Sequence, residues 1–397
     1  MSVIPPRGFR LAGVHCGIKR NPAKEDVTLI VADAPAVAAG VYTQNLVFAA
    51  PVALDRQRTP SDNIRAILAN SGNANACTGQ RGLDDARRMS ELAAQACDIQ
   101  PEHVLVLSTG IIGEFLPLVK IEAGANSAAQ RLATDEAAFV AAARGITTTD
   151  KSHKMAARVI ELSSGPVRIS GMAKGAGMIG PRMATMLGIL LTDAALTPGD
   201  AQQALTWAVD DSFNCISVEG HMSTNDTVLL LASGAASRSP LAGADLAAFR
   251  QALLEVCIDL ARAIPDDGEG ASHLITIEVR GCATRADAHR IAKTIAESAL
   301  VKTAIAGGDP NWGRIVSAAG YAGPRFDPAK VNLTINGHQL YRAGAPVPFD
   351  ARTVSESIKS ARETHVVLEL AEGDASVRFW TSDLTAEYLR INTEYHT

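Results

Sequence analysis

The sequence is 397 residues long, 47% apolar and 20% charged, with a formal charge of −5 at neutral pH. That balance excludes disordered and collagen-like classes. The absence of a basic block argues against nucleic acid or an anionic membrane as partner, which leaves small-molecule chemistry on a chain long enough for two unequal units or one large core with an appended domain.

The N-terminus, "MSVIPPRGFRLAGVHCGIKR", has two prolines and no apolar run, so it reads as neither a secretory signal nor a membrane anchor, and the protein is expected to be cytoplasmic. Alternating apolar and polar positions then predict strands at "DVTLIVAD", "AAGVYTQN" and "IRAILANSG", each bounded by turn formers. Helical spacing follows at Leu83 to Cys97, a strand at "HVLVLST", a helix at Glu136 to Arg144 and a strand at "PVRISG". Further along come a helix at Asp200 to Ser212, the strand "TVLLLAS", helices at Leu246 to Ile264 and Arg285 to Leu300, and strands at "HLITIEVRG" and "KVNLTING". Strands and helices interleaved without regular βαβ spacing predict an α/β (α+β) fold, a layered sandwich of sheets between helices rather than a doubly wound parallel sheet. The composition shifts near Val279 to Arg285, so residues 1–279 are expected to form the main unit and 280–397 a smaller C-terminal α/β domain. The six cysteines, Cys16, Cys77, Cys97, Cys215, Cys257 and Cys282, contain no CxxC pair and read as reduced thiols rather than disulfide or zinc ligands.

The stretch "KGAGMIGPRMATMLGILLTDA", Lys174 to Ala194, carries the chemistry. Gly175, Gly177 and Gly180 spell G-x-G-x-x-G, but a dinucleotide site requires them to open a helix, with an acidic residue about twenty positions on. Pro181 follows the third glycine at once and Asp193 comes too early, so the nucleotide reading is set aside. The alternative is that Thr185 is a nucleophile. A threonine hydroxyl needs an adjacent base, and one solution is its own α-amine, freed by cutting the preceding peptide bond. That amine titrates near pH ~8, so a useful fraction is unprotonated at neutral pH. The small Ala184 and the flanking glycines suit such a cut. Taken alone, a threonine heading an apolar run is more often an ordinary strand residue, and the period does not separate a buried strand from a buried helix in that run.

Several motifs in order decide between these readings. "NSGNANACTG", "STGIIG", "KGAGMIGPRMATML", "STNDTVLLLAS", "DGEGAS", "GGDPNWGRI" and the terminal "RINTEYHT" span nearly the whole chain. Together they resemble the ornithine acetyltransferase, or glutamate N-acetyltransferase, family of arginine biosynthesis. The resemblance implies an N-terminal-nucleophile-like fold and self-cleavage between Ala184 and Thr185 into α (1–184) and β (185–397) chains. It implies ping-pong transfer of acetyl from N-acetylornithine to glutamate through acetyl-Thr185, with an oxyanion hole at Thr109 and Gly110. Substrate contacts carried over by the resemblance are Thr148, Thr149, Lys174, Thr185, Glu269, Asn392 and Thr397, the last two on a tail that returns to the site. It implies no metal and no consumed cofactor, acetyl-CoA being a second acetyl donor in some members, and an α2β2 heterotetramer. Asp309, Asn311 and Arg314 of "GGDPNWGR" read instead as a turn that pins the C-terminal part of the chain by hydrogen bonds and stacking.

Four positions depart from the family pattern: Leu46, Lys151, His221 and His273. They leave the nucleophile, oxyanion pair and tail intact, so they bear on substrate preference more than on mechanism. Two other functions stay open at this point, an N-terminal-nucleophile amidase or aminopeptidase that passes the acyl group to water, and a non-catalytic protein that keeps the pocket.

Overall fold

The computed structural model describes residues 2–180, 186–237 and 239–394. Among these residues one sheet has eight strands, in the order Val104–Ile111, Ser61–Asn73, Val27–Tyr42, Thr227–Ala232, Leu187–Thr192, Gly165–Lys174 and Lys154–Leu162, with Phe9–Val14 alongside Val27–Tyr42. A second sheet of seven runs Ala345–Pro346, His338–Arg342, Asn332–Ile335, Glu363–Glu369, Leu274–Cys282, Ala375–Ser382 and Ile216–Ser217. Both sheets mix parallel and antiparallel pairs and are flanked by helices, so the layered α/β architecture is what the chain adopts.

"DVTLIVAD" and "AAGVYTQN", expected as two strands, form a single sixteen-residue strand, Val27–Tyr42. Its register against Ser61–Asn73 slips between Val31 and Ala38, around Pro35. A bulge of this kind bends a strand. The first half therefore pairs with Phe9–Val14 and the second with Thr227–Ala232. The predicted helix Arg285 to Leu300 is also divided. Ser298 ends Arg285–Glu297 and caps Ala299–Ala306, its hydroxyl accepting the Val301 amide.

The apolar run after Thr185 is the strand Leu187–Thr192, buried throughout. Leu190 faces one core with Val228, Leu230 and Leu260, whereas Ile189 and Leu191 face another with Phe139 and Ala142. A central strand covered on both faces has no polar positions, and hence no alternation to read. The helix Gly243–Asp266 packs on Lys154–Leu162 and Gly165–Lys174 and also against Ala375–Ser382, so one core joins the two sheets. The expected boundary at 279/280 falls inside the strand Leu274–Cys282, and Ile216–Ser217 joins the second sheet from well before it.

Candidate active site

The strand Val104–Ile111 runs parallel to Ser61–Asn73 and sets Thr109 and Gly110 opposite Ser71 and Gly72. Gly110 has φ +136°, and a Cβ there would stand 2.3 Å from the Gly72 carbonyl carbon, so the turn demands glycine. Buried amides brace it. Asn225 Nδ2 donates to Ala74 O (2.6 Å) and Ser108 O (2.9 Å), Ser108 Oγ donates to Asn70 Oδ1 (2.6 Å), and Asn70 Nδ2 donates to Asn73 O (2.9 Å). These bonds satisfy carbonyls at the irregular sheet end and hold Thr109–Gly110 in place.

Lys174 ends the strand Gly165–Lys174, paired with Leu187, and its buried Nζ lies 3.3 Å from Thr109 Oγ1. Burial pulls its ammonium below the ordinary lysine range, partly countered by Asp150, while Lys154 adds to the lowering and Asp226 and Glu269 oppose it. One strand over, the Met186 amide donates to Asp226 Oδ1 at 3.1 Å, and Met186 O accepts from the Thr227 amide. Asp226 is wholly buried, which pushes its carboxyl well above the usual range, and its Oδ2 has no hydrogen-bond partner among the described residues. Asp226 thus anchors the residue covalently joined to Thr185.

Glu269 enters from the loop after the helix Gly243–Asp266, its amide donating to Ala176 O at 2.9 Å and its Oε2 accepting from Asn392 Nδ2 at 3.1 Å. Gly177 passes so close that a Cβ would lie 2.5 Å from Glu269 Oε2. The glycines of the G-x-G-x-x-G loop therefore serve close approach, and the next described element is a strand, not a helix.

Thr109, Gly110, Thr148, Thr149, Lys174, Glu269 and Asn392 line one cavity of about 120 Å³, with Ala74, Ile112, Gly177, Met178, Ser223, Thr224 and Asn225 completing its wall. Ala184, Thr185 and Thr397 lie outside the described residues. A cation, a carboxylate and neutral hydroxyl and amide groups around one space suit a ligand with both an amine and a carboxylate. Sequence reasoning assigned no role to Ser223, Thr224, Asn225 or Asp226. They stood in the sequence within the family motif "STNDTVLLLAS", whose polar start also reads as a turn before the apolar strand.

Behind the loop, Glu219 Oε1 accepts the Ile179 amide at 2.5 Å. Burial is the main force raising this carboxyl to about 8 from 4.5, with the Ile179 amide and Lys302 opposing. A raised acid contributes stability that is whole below the unfolded value and drains away as pH climbs through the folded one. Glu219→Gln is therefore expected to match the parent Tm near pH ~4 and to exceed it increasingly toward pH ~9. A Tm difference that stays level across that range would show that Glu219 is not held protonated.

Asp309, Asn311 and Arg314 lie away from the cavity. Asn311 caps the helix Trp312–Gly320 and donates to Asp309 Oδ2 at 2.9 Å, Arg314 Nη1 donates to Leu300 O at 2.8 Å, and Trp312 stacks on Tyr341.

The ArgJ family model matches residues 10–397. The chain belongs to the ArgJ family. It is 46% identical over 399 residues to the arginine biosynthesis bifunctional protein ArgJ of Rhodopirellula baltica, covering 100% of this chain and 97% of that protein. It is likewise 46% identical over 398 residues to the protein of the same name from Symbiobacterium thermophilum, covering 100% and 98%. Among solved structures, the arginine biosynthesis bifunctional protein argJ of Bacillus halodurans matches with a TM-score of 0.51 and 39% identity, over 52% of this chain and 98% of that one. None of the four departures lines the cavity of this ArgJ-family chain. Leu46 is 93% exposed, His221 and Lys151 are exposed, and His273 is buried, its Nδ1 3.0 Å from Asp383 Oδ2.

Proposed function

We propose that this chain is a self-processing acetyltransferase of arginine biosynthesis that moves an acetyl group from N-acetylornithine to glutamate through acetyl-Thr185. The observation that carries the reading is the convergence of Thr109, Gly110, Lys174, Glu269 and Asn392 on one cavity, beside the anchored Met186 that is bonded to Thr185. Cleavage between Ala184 and Thr185 frees an α-amine. That amine takes the proton as Thr185 Oγ attacks the acetyl carbonyl. The oxyanion that forms is met by donors at Thr109 and Gly110. Collapse breaks the C–N bond, and the departing ornithine nitrogen receives the proton. Glutamate then attacks the threonine ester through its own amine, forming the new amide and returning the proton to Thr185 Oγ. Lys174 pairs with a substrate carboxylate and Glu269 with a substrate amine, while Thr148, Thr149, Asn392 and Thr397 supply neutral hydrogen bonds. The bifunctional name of the relatives supports acetyl-CoA as a second donor. An α2β2 assembly and a cytoplasmic location complete the reading. Among the described residues, no helix is long and apolar enough to cross a membrane.

Intact mass spectrometry of the purified protein, with and without N-acetylornithine, tests this directly. Two polypeptides are expected, split at Ala184/Thr185, with an acetyl adduct on the second that disappears when glutamate is added. Acetate release at a rate indifferent to glutamate would make the protein an amidase instead.

A further inference from the structure

Three cavity walls share one buried charge cluster. Lys154 Nζ donates to Asp150 Oδ1 at 2.7 Å, to Asp267 Oδ2 at 2.7 Å and to Ser152 O at 3.3 Å, and the lysine is 3% exposed. Asp150 does more than pair with it. Its Oδ1 accepts the Gly175 amide at 2.7 Å, directly after Lys174, and its Oδ2 accepts the Thr148 amide at 3.0 Å. Asp267, two residues before Glu269, accepts the Lys151 and Ser152 amides at 3.1 and 3.3 Å. Lys154 is also paired with Ala173 on the neighbouring strand, which sets the cluster beside Lys174. Every charged oxygen contact here ends on a segment that lines the cavity or adjoins one that does.

Burial alone works against an ionised Asp150, but the ammonium groups of Lys154 and Lys174 and the Gly175 amide overcome it and hold the carboxyl at about 2. The cluster therefore keeps a negative charge next to Lys174, with Lys154 one step behind it. We propose that Asp150 and Lys154 are positioning residues for acetyl transfer, a buried ion pair that holds the segments of Thr148 and Lys174 against each other, with Asp150 as the carboxylate that faces Lys174. The inference rests on the function proposed above.

Two variants pull in opposite directions. The charges facing Lys174 are Asp150, Lys154, Asp226 and Glu269, and Lys19 faces Asp150 in turn. Asp150→Asn removes an attractive charge, lowers the pH at which Lys174 gives up its proton, and moves the alkaline limb of kcat/KM for N-acetylornithine down by about one unit. Lys154→Met removes a repulsive charge and moves that limb up. Both raise KM roughly tenfold through misplacement of Thr148 and Lys174, and Lys154→Arg restores most of it. Self-cleavage into two chains, read on a denaturing gel, serves as the check that each variant has folded. If Lys154→Met does not fold, Asp150→Asn alone still decides through the direction of its shift. Limbs that stay put, or that move the same way in both variants, overturn the proposal. Failure of the function itself shows separately, as unmutated protein without glutamate-dependent transfer.

Discussion

Thr185→Ala is expected to leave a single full-length polypeptide that gains no acetyl group and loses transfer by at least about a thousandfold, since deleting a nucleophile has cost up to ~10⁶ in kcat elsewhere. The cavity offers other hydroxyls at Thr148, Thr149, Ser223 and Thr224. None of them can acquire an α-amine of its own as base, so none can replace position 185. The substitution should not disturb the scaffold. Met186 remains held by Asp226 and Thr227, and Leu187–Thr192 remains buried between two cores. Thr185→Ser keeps the hydroxyl and the prospective amine and should retain both cleavage and turnover, though at reduced rates. Intact mass and a coupled ornithine-release assay read both variants together. Turnover within tenfold of the parent in Thr185→Ala would remove the mechanism.

The next largest effect is expected at Thr109 and Gly110, the proposed oxyanion donors. Thr109→Val preserves shape while removing one hydroxyl, and kcat should fall about 10²–10³-fold, equivalent to ~2.7–4 kcal/mol of lost transition-state stabilisation, with KM changed by only a few-fold. Gly110→Ala tests the same turn by sterics. At φ +136°, with a Cβ 2.3 Å from the backbone of Gly72, the new methyl group meets main chain rather than a yielding side chain. The turn must shift, so activity should vanish along with a measurable drop in Tm. If Thr109→Val shows a normal kcat and a raised KM, Thr109 is a binding group and not an oxyanion donor.

What could be read from the chain beforehand was mostly local. "STGIIG" drew notice through its resemblance to a family motif, while the positive φ of Gly110 appears only in the fold. The helix Glu136–Gly145 begins after Asp135, whose side chain accepts the Ala138 amide; such a cap is a property of neighbours. Other features had no local trace. The partners of Lys154 include Asp267, 113 residues away, and Glu269 meets Asn392 across 123 residues. Within its own stretch, Lys154 is simply the lysine that opens a strand. The four departures from the family pattern are expected from the sequence to bear on substrate preference, whereas all four side chains lie off the cavity wall, because sequence adjacency to a motif says nothing about which way a side chain turns.

By itself the sequence determined the composition class, about half of the strands and helices, and the motif set that marks the family. The elements rest on periodicity and sterics within a few residues, and the family on the resemblance of motifs spread along the chain. Only the tertiary structure decided that Val27–Tyr42 is one bent strand, that Leu187–Thr192 is a strand buried on both faces, and that Asp150, Lys154 and Asp267 share a buried charge cluster behind Lys174. Burial and charge are sums over distant segments brought together by folding. A group's ionisation and reach are therefore set by neighbours that its own stretch of chain does not contain.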